Sequence, residues 1–543
     1  MGVRGVAAWL GASLAVCGYP ASAADCEGLA KLSLPSTVIG TATAVPAGSF
    51  TPTGSGELKN LPEFCRVTGS IKPTSDSDIQ FEVWLPAAGW TGKFQGIGNG
   101  GFAGSISYGG LAEAVRRGYA AASTDSGHRA GGASAEWALG HPEKIADYGH
   151  RAIHEMTEKA KAIVAAFYGS PAKRSYFSSC SNGGRQALME AQRYPADYDC
   201  IIAGAPANHW TALLVNAMAM MQATAGEAYI PASKLPAIQA AALAACDGDD
   251  DVKEGVIEDP SRCRFDPAKL LCTGAESDAC LTAPQAKALR QIYAGTRDGK
   301  GRVVSPGYAP GGEAEQGGWG PWITGKAPDT SLMYQFGSGF FRNMVYNDPA
   351  WNYRSFDVDR DYKAAVERTA HLLNATDPDL RRFRAHGGKL ILYHGWSDAA
   401  IPGQHAVDYY ESVVKKLGET NTSSFVRLYM APGVQHCGGG SGPNVFGQAS
   451  VGAGDPRTNV AAALERWVEQ GVPPEEIVAT KYKTGADPAS GVARTRPLCP
   501  YPKVARYKGM GSTDEAANFE CVAVTRPRRV QPPGAVSQNL PVR

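Results

Sequence analysis

Residues 176–188 read Tyr-Phe-Ser-Ser-Cys-Ser-Asn-Gly-Gly-Arg-Gln-Ala-Leu, and this stretch decides the fold. The two aromatic residues favour the end of a strand, and the two glycines allow a tight turn before a helix. Such a strand–turn–helix predicts a nucleophile elbow, which lifts Ser181 above the edge of a sheet. The usual pattern, G-x-S-x-G, has a glycine where this chain has Ser179. On this stretch alone, Ser181 as a simple helix cap is an equally good interpretation.

Length and charge limit the classes of function. The chain has 543 residues, 43% of them hydrophobic, and a formal net charge of +1 without long runs of lysine or arginine. Such a chain can bury one large core or two. The balanced charge argues against nucleic acid as the main partner.

The first 23 residues have the pattern of a signal peptide. A positive charge at Arg4 precedes an apolar run from Val6 to Val16 that is too short to cross a bilayer, and Ala21-Ser22-Ala23 fits a cleavage site. We therefore predict a mature chain that starts near Ala24 and is secreted or periplasmic. After this segment no apolar run is long enough for a membrane helix, so we expect no membrane partner.

Export changes the interpretation of the cysteines. Eleven of the 12 cysteines lie after the signal segment, and no C-x-x-C pair occurs among them. In an oxidising compartment they favour disulfides over zinc, and the odd number leaves at least one free thiol. Local pairs that fit the spacing are Cys246–Cys263, Cys272–Cys280 and Cys499–Cys521.

The order of predicted elements indicates an open, mostly parallel α/β sheet. Strands and helices alternate through residues 24–209, with the elbow among them. Residues 210–385 lack this rhythm and are predicted to form an inserted lid domain. The sheet resumes in residues 386–543, although the tail from about 495 is proline-rich and predicted to be loop.

A glycine-rich segment follows an early strand. Gly96, Gly98 and Gly101 match G-x-G-x-x-G, which would suit a dinucleotide if a helix and an acidic residue followed at the proper distance. Neither condition is clearly met. The alternative, which we favour, is a loop that supplies the second half of an oxyanion hole.

The resumed sheet supplies the other two members of a catalytic triad. Strand 390–393 is followed by Asp398, and strand 425–430 is followed by His436. Serine, aspartate and histidine in this chain order, each just past a strand, are typical of α/β-hydrolases. His394 is the main competitor of His436 as the base. Each of these residues alone could be an ordinary loop side chain, but the ordered set favours a hydrolase.

Two cysteines adjoin this predicted triad. Cys180 precedes Ser181 and Cys437 follows His436, so the two sulfurs could bond if serine and histidine meet. Such a bridge would tether the base loop to the elbow. Cys180 itself as the nucleophile is disfavoured, because an exported thiol beside another cysteine should be oxidised.

An acidic segment, residues 246–257, reads Cys-Asp-Gly-Asp-Asp-Asp-Val-Lys-Glu-Gly-Val-Ile. Five carboxylates in eight residues repel one another without a counter-ion, and oxygen ligands at short spacings suit Ca²⁺. The segment departs from an EF-hand, which has glycine at position 6 and glutamate at position 12. A solvated acidic loop is the alternative.

Taken together, these motifs resemble the tannase and feruloyl esterase family, which carries a CS–D–HC arrangement. Cys180-Ser181, Asp398 and His436-Cys437 match that arrangement, and the resemblance extends over nearly the whole mature chain, including Tyr393-His-Gly-Trp-Ser-Asp and Arg496-Pro-Leu-Cys-Pro-Tyr-Pro. The family implies an α/β-hydrolase fold with a large inserted lid.

The resemblance also implies roles for individual residues. Ser181 would be the nucleophile, His436 the base and Asp398 the orienting acid, with oxyanion donors at Asn182 and Gly101. Calcium in the lid would be held by side chains of Asp247, Asp250 and Glu254 and by carbonyls of Val252 and Val256; Glu254 stands where aspartate is usual. The implied disulfides are Cys26–Cys65, Cys180–Cys437, Cys246–Cys263, Cys272–Cys280 and Cys499–Cys521, which leaves Cys200 free.

The function implied is a secreted serine esterase that hydrolyses aromatic carboxylic esters of the feruloyl or galloyl type without an organic cofactor. The implied substrate is a small aromatic ester, either free or attached to a plant polymer. A terephthalate monoester hydrolase is the alternative within the family, and a non-catalytic calcium-stabilised binding protein is the alternative of another class. The lid aromatics that could hold the acyl ring are Trp319, Trp322, Phe336, Phe340 and Phe341.

Overall fold

The structure is a computed structural model that describes residues 25–448 and 454–524. The predicted signal peptide, residues 1–23, lies outside the described residues.

The described residues contain 17 strands and 14 α-helices. The strands are β1 (Thr37–Val45), β2 (Gly48–Phe50), β3 (Leu58–Leu61), β4 (Phe64–Ile71), β5 (Ile79–Pro86), β6 (Lys93–Ile97), β7 (Ala120–Thr124), β8 (Arg174–Cys180), β9 (Cys200–Gly204), β10 (Thr296–Arg297), β11 (Val303–Ser305), β12 (Lys389–Gly395), β13 (Val426–Ala431), β14 (Ile477–Tyr482), β15 (Val492–Leu498), β16 (Lys503–Tyr507) and β17 (Phe519–Ala523). The helices are α1 (Tyr108–Arg116), α2 (Pro142–Ala146), α3 (Ala152–Tyr168), α4 (Asn182–Arg193), α5 (Trp210–Ala223), α6 (Leu235–Cys246), α7 (Ala283–Ala294), α8 (Leu332–Phe340), α9 (Val358–Ala365), α10 (His371–Leu373), α11 (Arg381–Ala385), α12 (Gln404–Leu417), α13 (Glu419–Ser423) and α14 (Val460–Gln470).

One large sheet organises the molecule. Its strand order in the described residues is β1-β4-β5-β7-β6-β8-β9-β12-β13. The pairs from β1 to β7 are antiparallel, whereas those from β7 to β13 are parallel. The carboxyl ends of parallel strands meet at one edge, and in open α/β sheets this edge carries the site. The predicted α/β-hydrolase fold is confirmed.

The parallel strands are buried on both faces, as expected when helices cover both sides of a sheet. In β12, Leu390 and Leu392 pack into one core and Ile391 and Tyr393 into the other. This alternation follows from the two-residue period of a strand. Each face therefore excludes water, and the strand ends are held in a fixed register.

A long insertion separates β9 from β12, which are neighbours in the sheet. The residues between them contribute α5 to α11 and the short β10–β11 pair. Many of them pack into a separate apolar core, which includes Trp210, Phe340 and Phe341. That core also takes Phe102 and Ile401 from the sheet's loops, so the insertion lies against the carboxyl edge. The exact lid boundary of 210–385 stays a prediction.

The tail differs from its prediction. Residues 492–523 are not loop throughout but form β15, β16 and β17, of which β15 pairs with β14 and β16 with β17. Prolines obscured these strands, because proline is unfavourable inside a sheet and is tolerated at edges. In the part of the chain that the structure describes, no helix is both long and apolar enough to span a membrane.

Candidate active site

Ser181 sits between the end of β8 and the first residue of α4. Its backbone has φ 67° and ψ −126°, a conformation that a residue with a side chain rarely adopts. The Ser181 N–H donates to the carbonyl of Gly204 over 2.9 Å, and the Ser181 carbonyl accepts from Arg185 and Ala207. The surrounding backbone thus fixes the turn in which the hydroxyl is presented, as the elbow interpretation predicts.

Glycines allow the close packing that this turn requires. A Cβ at Gly184 would lie 2.2 Å from the carbonyl oxygen of Gly204, and one at Gly183 only 1.9 Å from Oγ of Ser179. The side chain of Ser179 therefore occupies space left by the absent Cβ of Gly183. This explains why the chain accommodates serine where G-x-S-x-G has glycine.

The three side chains proposed from the sequence meet in space. His436 Nε2 lies 2.9 Å from Ser181 Oγ, and His436 Nδ1 lies 2.8 Å from Asp398 Oδ2. Asp398 is fully buried at its side chain, while that of His436 is 13% exposed. An imidazole that accepts from a hydroxyl and donates to a buried carboxylate has the geometry needed to deprotonate the hydroxyl.

Asp398 is held by four hydrogen bonds. Its Oδ1 accepts the N–H groups of Ala400 (2.8 Å) and Ile401 (2.9 Å), and its Oδ2 accepts from His436 and, at 3.1 Å, from His394 Nε2. Burial acts to raise the pKa of Asp398, but the charge and hydrogen bonds of the two histidines outweigh it and hold that pKa well below its ordinary value. The carboxylate is therefore ionised throughout the neutral range.

His394 does not compete as the base. Its ring contacts Asp398 and the carbonyl of Ile401, whereas the ring that contacts Ser181 belongs to His436. The sequence placed His394 near the acid but did not indicate that it bonds to it. The spacing of four residues across the strand end is the signal that could have suggested this contact.

The five disulfides expected from the resemblance are present: Cys26–Cys65, Cys180–Cys437, Cys246–Cys263, Cys272–Cys280 and Cys499–Cys521. Among the described cysteines, the buried Cys200 is the free one. Cys180–Cys437 joins residues 257 apart and connects the residue before Ser181 to the residue after His436. It therefore links the elbow and the base loop covalently at the site.

The glycine-rich segment packs against the elbow. A Cβ at Gly98 would lie 2.9 Å from Oγ of Ser179, and the carbonyl of Asn99 accepts a long hydrogen bond, 3.5 Å, from Asn182 Nδ2. Gly101, with φ 55°, follows in the same segment. This packing favours the oxyanion interpretation over a dinucleotide loop, because the elbow helix occupies the space beside the glycines.

Asn182 is the first residue of α4. The first N–H groups of a helix have no acceptor within the helix and point toward its N-terminal end. Asn182 directly follows Ser181, and Gly101 belongs to the glycine-rich segment in which the Asn99 carbonyl contacts the side chain of Asn182. Their function as donors stays a prediction.

Arg185 is a residue that the sequence analysis missed. Its guanidinium is fully buried one turn into α4 and donates to Asn182 Oδ1 (2.8 Å) and to the carbonyls of Gly149 (2.7 Å) and Tyr148 (3.0 Å). It also lies over the rings of Tyr148 and Trp210. A buried cation bonded to Asn182 fixes the start of the elbow helix. Sequence alone gave no sign that this arginine was buried.

Two of the five lid aromatics lie at the site. The Trp322 ring is 5.2 Å from the ring of His436, and Phe336 stacks against Trp322 at 6.1 Å. Phe336 also approaches Gly101, where an added Cβ would lie 3.0 Å from its ring. Trp319, Phe340 and Phe341 are instead fully buried in the lid core. Half-buried aromatic rings beside the base can contact a flat acyl group.

The lid also contacts the loops of the acid and the base. The side chain of Gln435 donates to the carbonyl of Gly312 (2.8 Å) and to Glu315 Oε2 (3.0 Å). Gly312 packs so closely that a Cβ there would lie 2.6 Å from Cβ of Ser397. Ser397 and Gln435 directly precede Asp398 and His436, so one lid segment adjoins both triad loops.

The acidic segment 247–256 is arranged around its own backbone. The Asp247 carboxylate accepts from the N–H groups of Glu254, Gly255 and Val256, Asp250 Oδ1 accepts from Val252, and Glu254 pairs with Arg496. Among the described residues, no group of three or more histidine, cysteine, aspartate or glutamate side chains is arranged to hold a metal ion. The predicted ligand set also includes the backbone carbonyls of Val252 and Val256, and the calcium site stays a prediction.

Comparisons with known proteins identify the family. The sequence profile described as "Tannase and feruloyl esterase" matches residues 65–522. The chain belongs to the tannase and feruloyl esterase family.

Relatives match this family member over nearly their whole length. An uncharacterised esterase of Xanthomonas campestris pv. campestris is 46% identical and covers 92% of both chains. A probable feruloyl esterase B-2 of Aspergillus terreus is 33% identical over 94% of this chain and 97% of its own. The crystal structure of feruloyl esterase B from Aspergillus oryzae superposes with a TM-score of 0.85 at 29% identity and covers 92% of this chain and 99% of that one. The protein is accordingly a carboxylic ester hydrolase of the feruloyl esterase and tannase type.

Proposed function

We propose that the protein is a serine esterase that transfers the acyl group of an aromatic carboxylic ester to Ser181 and then to water. The observation that carries the proposal is the hydrogen-bonded chain from Ser181 Oγ through His436 to Asp398. Membership of an esterase family supports the reaction class.

In the first half-reaction, His436 Nε2 takes the proton of Ser181 while Oγ attacks the ester carbonyl carbon. The carbonyl oxygen becomes an oxyanion, which the N–H groups of Asn182 and Gly101 are proposed to bind. His436 then gives the proton to the leaving alcohol, and the acyl group stays on Oγ. The buried, ionised Asp398 stabilises the imidazolium that forms between these steps.

In the second half-reaction, water replaces the alcohol. His436 takes a proton from the water, the resulting hydroxide attacks the acyl carbon, and Ser181 recovers its proton as the acid leaves. The acyl-enzyme separates one difficult reaction into two similar steps that use the same base.

Trp322 and Phe336 support an aromatic acyl group. They are the lid rings beside His436 and Gly101, and offset or edge-on contacts between aromatic rings favour a flat substrate. This supports an aromatic acyl group, as feruloyl- and galloyl-type esters have. A terephthalate monoester has an aromatic acyl group too, so these rings do not separate the two substrate classes.

The test is hydrolysis of p-nitrophenyl acetate by the wild type and by Ser181→Ala. We expect the variant to lose at least about a thousandfold in kcat while it folds normally. Full activity of a folded S181A protein contradicts the proposal. Complete inactivity of the wild type would instead favour the non-catalytic binding protein.

The acyl specificity is tested by kcat/KM for methyl ferulate, methyl gallate and a terephthalate monoester. We expect one of the first two to give the highest value, and Phe336→Ala to lower it more than it lowers the value for p-nitrophenyl acetate. The highest value for the terephthalate monoester would establish the alternative within the family.

We also propose that the protein is secreted or periplasmic. Five disulfides support an oxidising compartment. N-terminal sequencing of protein recovered from the culture medium or the periplasm tests this, with a start near Ala24 expected.

A structural calcium ion in the segment 247–256 remains a further proposal, supported by five acidic residues in eight positions. If it binds, added Ca²⁺ raises Tm and EGTA lowers it by several degrees, since an ion that binds only the folded state stabilises it. Asp247→Asn should abolish the difference. Equal Tm values with Ca²⁺ and with EGTA would favour a loop held by Arg496 instead.

A further inference from the structure

His394 is a second imidazole on the catalytic acid, and the reaction described above does not use it. It is the sixth residue of β12, its side chain is fully buried, and its Nε2 lies 3.1 Å from Asp398 Oδ2 and 3.0 Å from the carbonyl oxygen of Ile401. Asp398 Oδ2 is the same atom that His436 Nδ1 contacts. Two imidazoles therefore share one carboxylate oxygen.

The contacts of His394 define its tautomer. Both partners of Nε2 are acceptors, so Nε2 carries the proton and donates. The other ring nitrogen, Nδ1, is buried and has no hydrogen-bond partner among the described residues. His394 is thus a donor to Asp398 through Nε2, and its direction is fixed by the strand end.

We propose that His394 is a positioning residue, which holds the Asp398 carboxylate against His436 and takes up part of its hydrogen-bonding capacity. With both oxygens of Asp398 already bonded, the Nε2–H of His394 fixes the rotation of the carboxylate so that Oδ2 stays in line with His436 Nδ1. The inference rests on the proposed function, because it requires that His436 be the base.

The His394 donor weakens the attraction of Asp398 for a neighbouring imidazolium, because a carboxylate oxygen that accepts an additional hydrogen bond attracts a positive charge less strongly. Loss of the His394 donor should therefore move the acid limb of the activity profile to higher pH. A residue that only fills space would not shift this limb.

Other titratable groups surround this pair and must be held constant. His405, in α12, lies behind His394, and burial lowers its pKa well below the ordinary value; His209 stacks on it at 4.8 Å, and its pKa is lowered by burial to about 4. Burial raises the pKa of both Tyr308 and Tyr393, and the charge of Asp398 raises each further. At neutral pH none of these four carries a charge.

The experiment compares three replacements of His394 by their pH profiles of kcat/KM for p-nitrophenyl acetate. His394→Phe keeps a ring but removes the donor. His394→Gln places an amide N–H near the position of Nε2, and His394→Asn places it near Nδ1, away from Asp398. His405→Phe is the matched control, since His405 is equally buried but bonds to Ser305 rather than to Asp398.

We expect His394→Phe and His394→Asn to lower kcat by about 10- to 100-fold with little change in KM, and to raise the acid-limb pKa by about half a unit to one unit. His394→Gln should retain most of the activity and the wild-type limb. His405→Phe should leave the limb in place, whatever it does to stability. If the phenylalanine variant does not fold, the contrast between glutamine and asparagine decides.

The inference is overturned if the folded asparagine variant keeps the wild-type kcat and acid limb, or if glutamine and asparagine have equal effects. Ser181→Ala separates this failure from failure of the proposed function. Inactive S181A together with an unshifted His394 profile rejects the positioning role alone. Fully active S181A rejects the proposed triad and the role of His394 with it.

Discussion

Ser181 occupies a backbone conformation that costs about 1–3 kcal/mol and persists only where the surroundings enforce it. Those surroundings are the hydrogen bond to Gly204 and the contact of α4 with β8 and β9 through Gly183 and Gly184. The unusual Ser179 belongs to the same arrangement, because its Oγ fills the space beside Gly183. The packing of Ser179 and the packing of Gly183 therefore depend on each other.

This coupling predicts a rescue. Gly183→Ala places a Cβ 1.9 Å from Ser179 Oγ, and we expect it to lower stability by about 1–3 kcal/mol and kcat at least tenfold. The double variant S179G/G183A removes that oxygen and should recover most of both, since the next contact, with the carbonyl of Asn99, is 3.2 Å. Urea unfolding and ester hydrolysis of the four proteins give the coupling energy. Additive effects would contradict the pairing.

Asp125 predicts a pH dependence of stability at a single residue. Burial raises its pKa to about 7, against the lowering effect of N–H bonds from Gly127 and Gln80. The folded state thus keeps a proton that the unfolded chain loses above the ordinary pKa of 3.8. This group therefore destabilises the fold progressively as the pH rises from about 4 to 7.

Asp125→Asn removes this titration and keeps an oxygen for the two N–H groups. Relative to wild type, its free energy of unfolding should increase by about 2–3 kcal/mol between pH 5 and pH 8, as measured by urea unfolding. Glu57→Gln, at an exposed acid, is the control and should show little change. A parallel pH dependence of D125N and wild type would show that Asp125 is ionised in the fold.

The segment of the insertion around Gly312 contacts both the acid loop and the base loop of the triad. Gly312 lies against Ser397 and Gln435, the residues before Asp398 and His436. Gln435 is buried and donates to both Gly312 and Glu315. The lid is thus more than a cover, because its backbone supports both the acid loop and the base loop.

Gly312→Ala should therefore impair catalysis without unfolding the lid. The added Cβ would lie 2.6 Å from Cβ of Ser397 and 2.8 Å from Nε2 of Gln435, so both loops must shift. We expect kcat to fall by about 10- to 100-fold, since small displacements of catalytic groups are costly. Gly320→Ala, where an added Cβ meets nothing within 4 Å, is the matched control. Equal activity of the two variants would contradict the support role.

Across the whole molecule, the insertion separates the elbow from the acid and base in sequence, and the sheet brings them together. β8, β9, β12 and β13 are successive neighbours, so their carboxyl ends place Ser181, Asp398 and His436 at one edge. Cys180–Cys437 then closes the arrangement covalently across the insertion. Its effects on stability and on activity should therefore both be large.

The double variant C180A/C437A tests this. The bridge closes a loop of 257 residues, for which chain entropy gives about 5–6 kcal/mol, against about 2–3 kcal/mol for the eight-residue loop of Cys272–Cys280. We expect the first variant to lose more in the free energy of unfolding and to lose activity under conditions where it remains folded. C272A/C280A, in the lid, should keep its activity. Comparable kcat values for the two variants would contradict the tethering role.

The sequence by itself predicted the α/β-hydrolase fold and the residues that meet at its edge. The hydrophobic periodicity and the glycines of the elbow are local features that the sequence shows directly. The order Ser181, Asp398, His436 can also be recognised along the chain. Because Cys180 adjoins Ser181 and Cys437 adjoins His436, the sequence also indicated the long-range disulfide between the two cysteines. The tail strands were missed, because proline masks a strand whose partner is distant in sequence.

The tertiary structure alone decided what depends on contacts across the insertion. Trp322 and Phe336 lie at the site while Trp319 lies in the core, although all three are lid aromatics of similar character. Equally, His394 and Gly312 contact the triad loops only because the sheet edge and the lid meet there. Local propensity indicates which segments become helices or strands, whereas packing between distant segments determines which side chains contact one another.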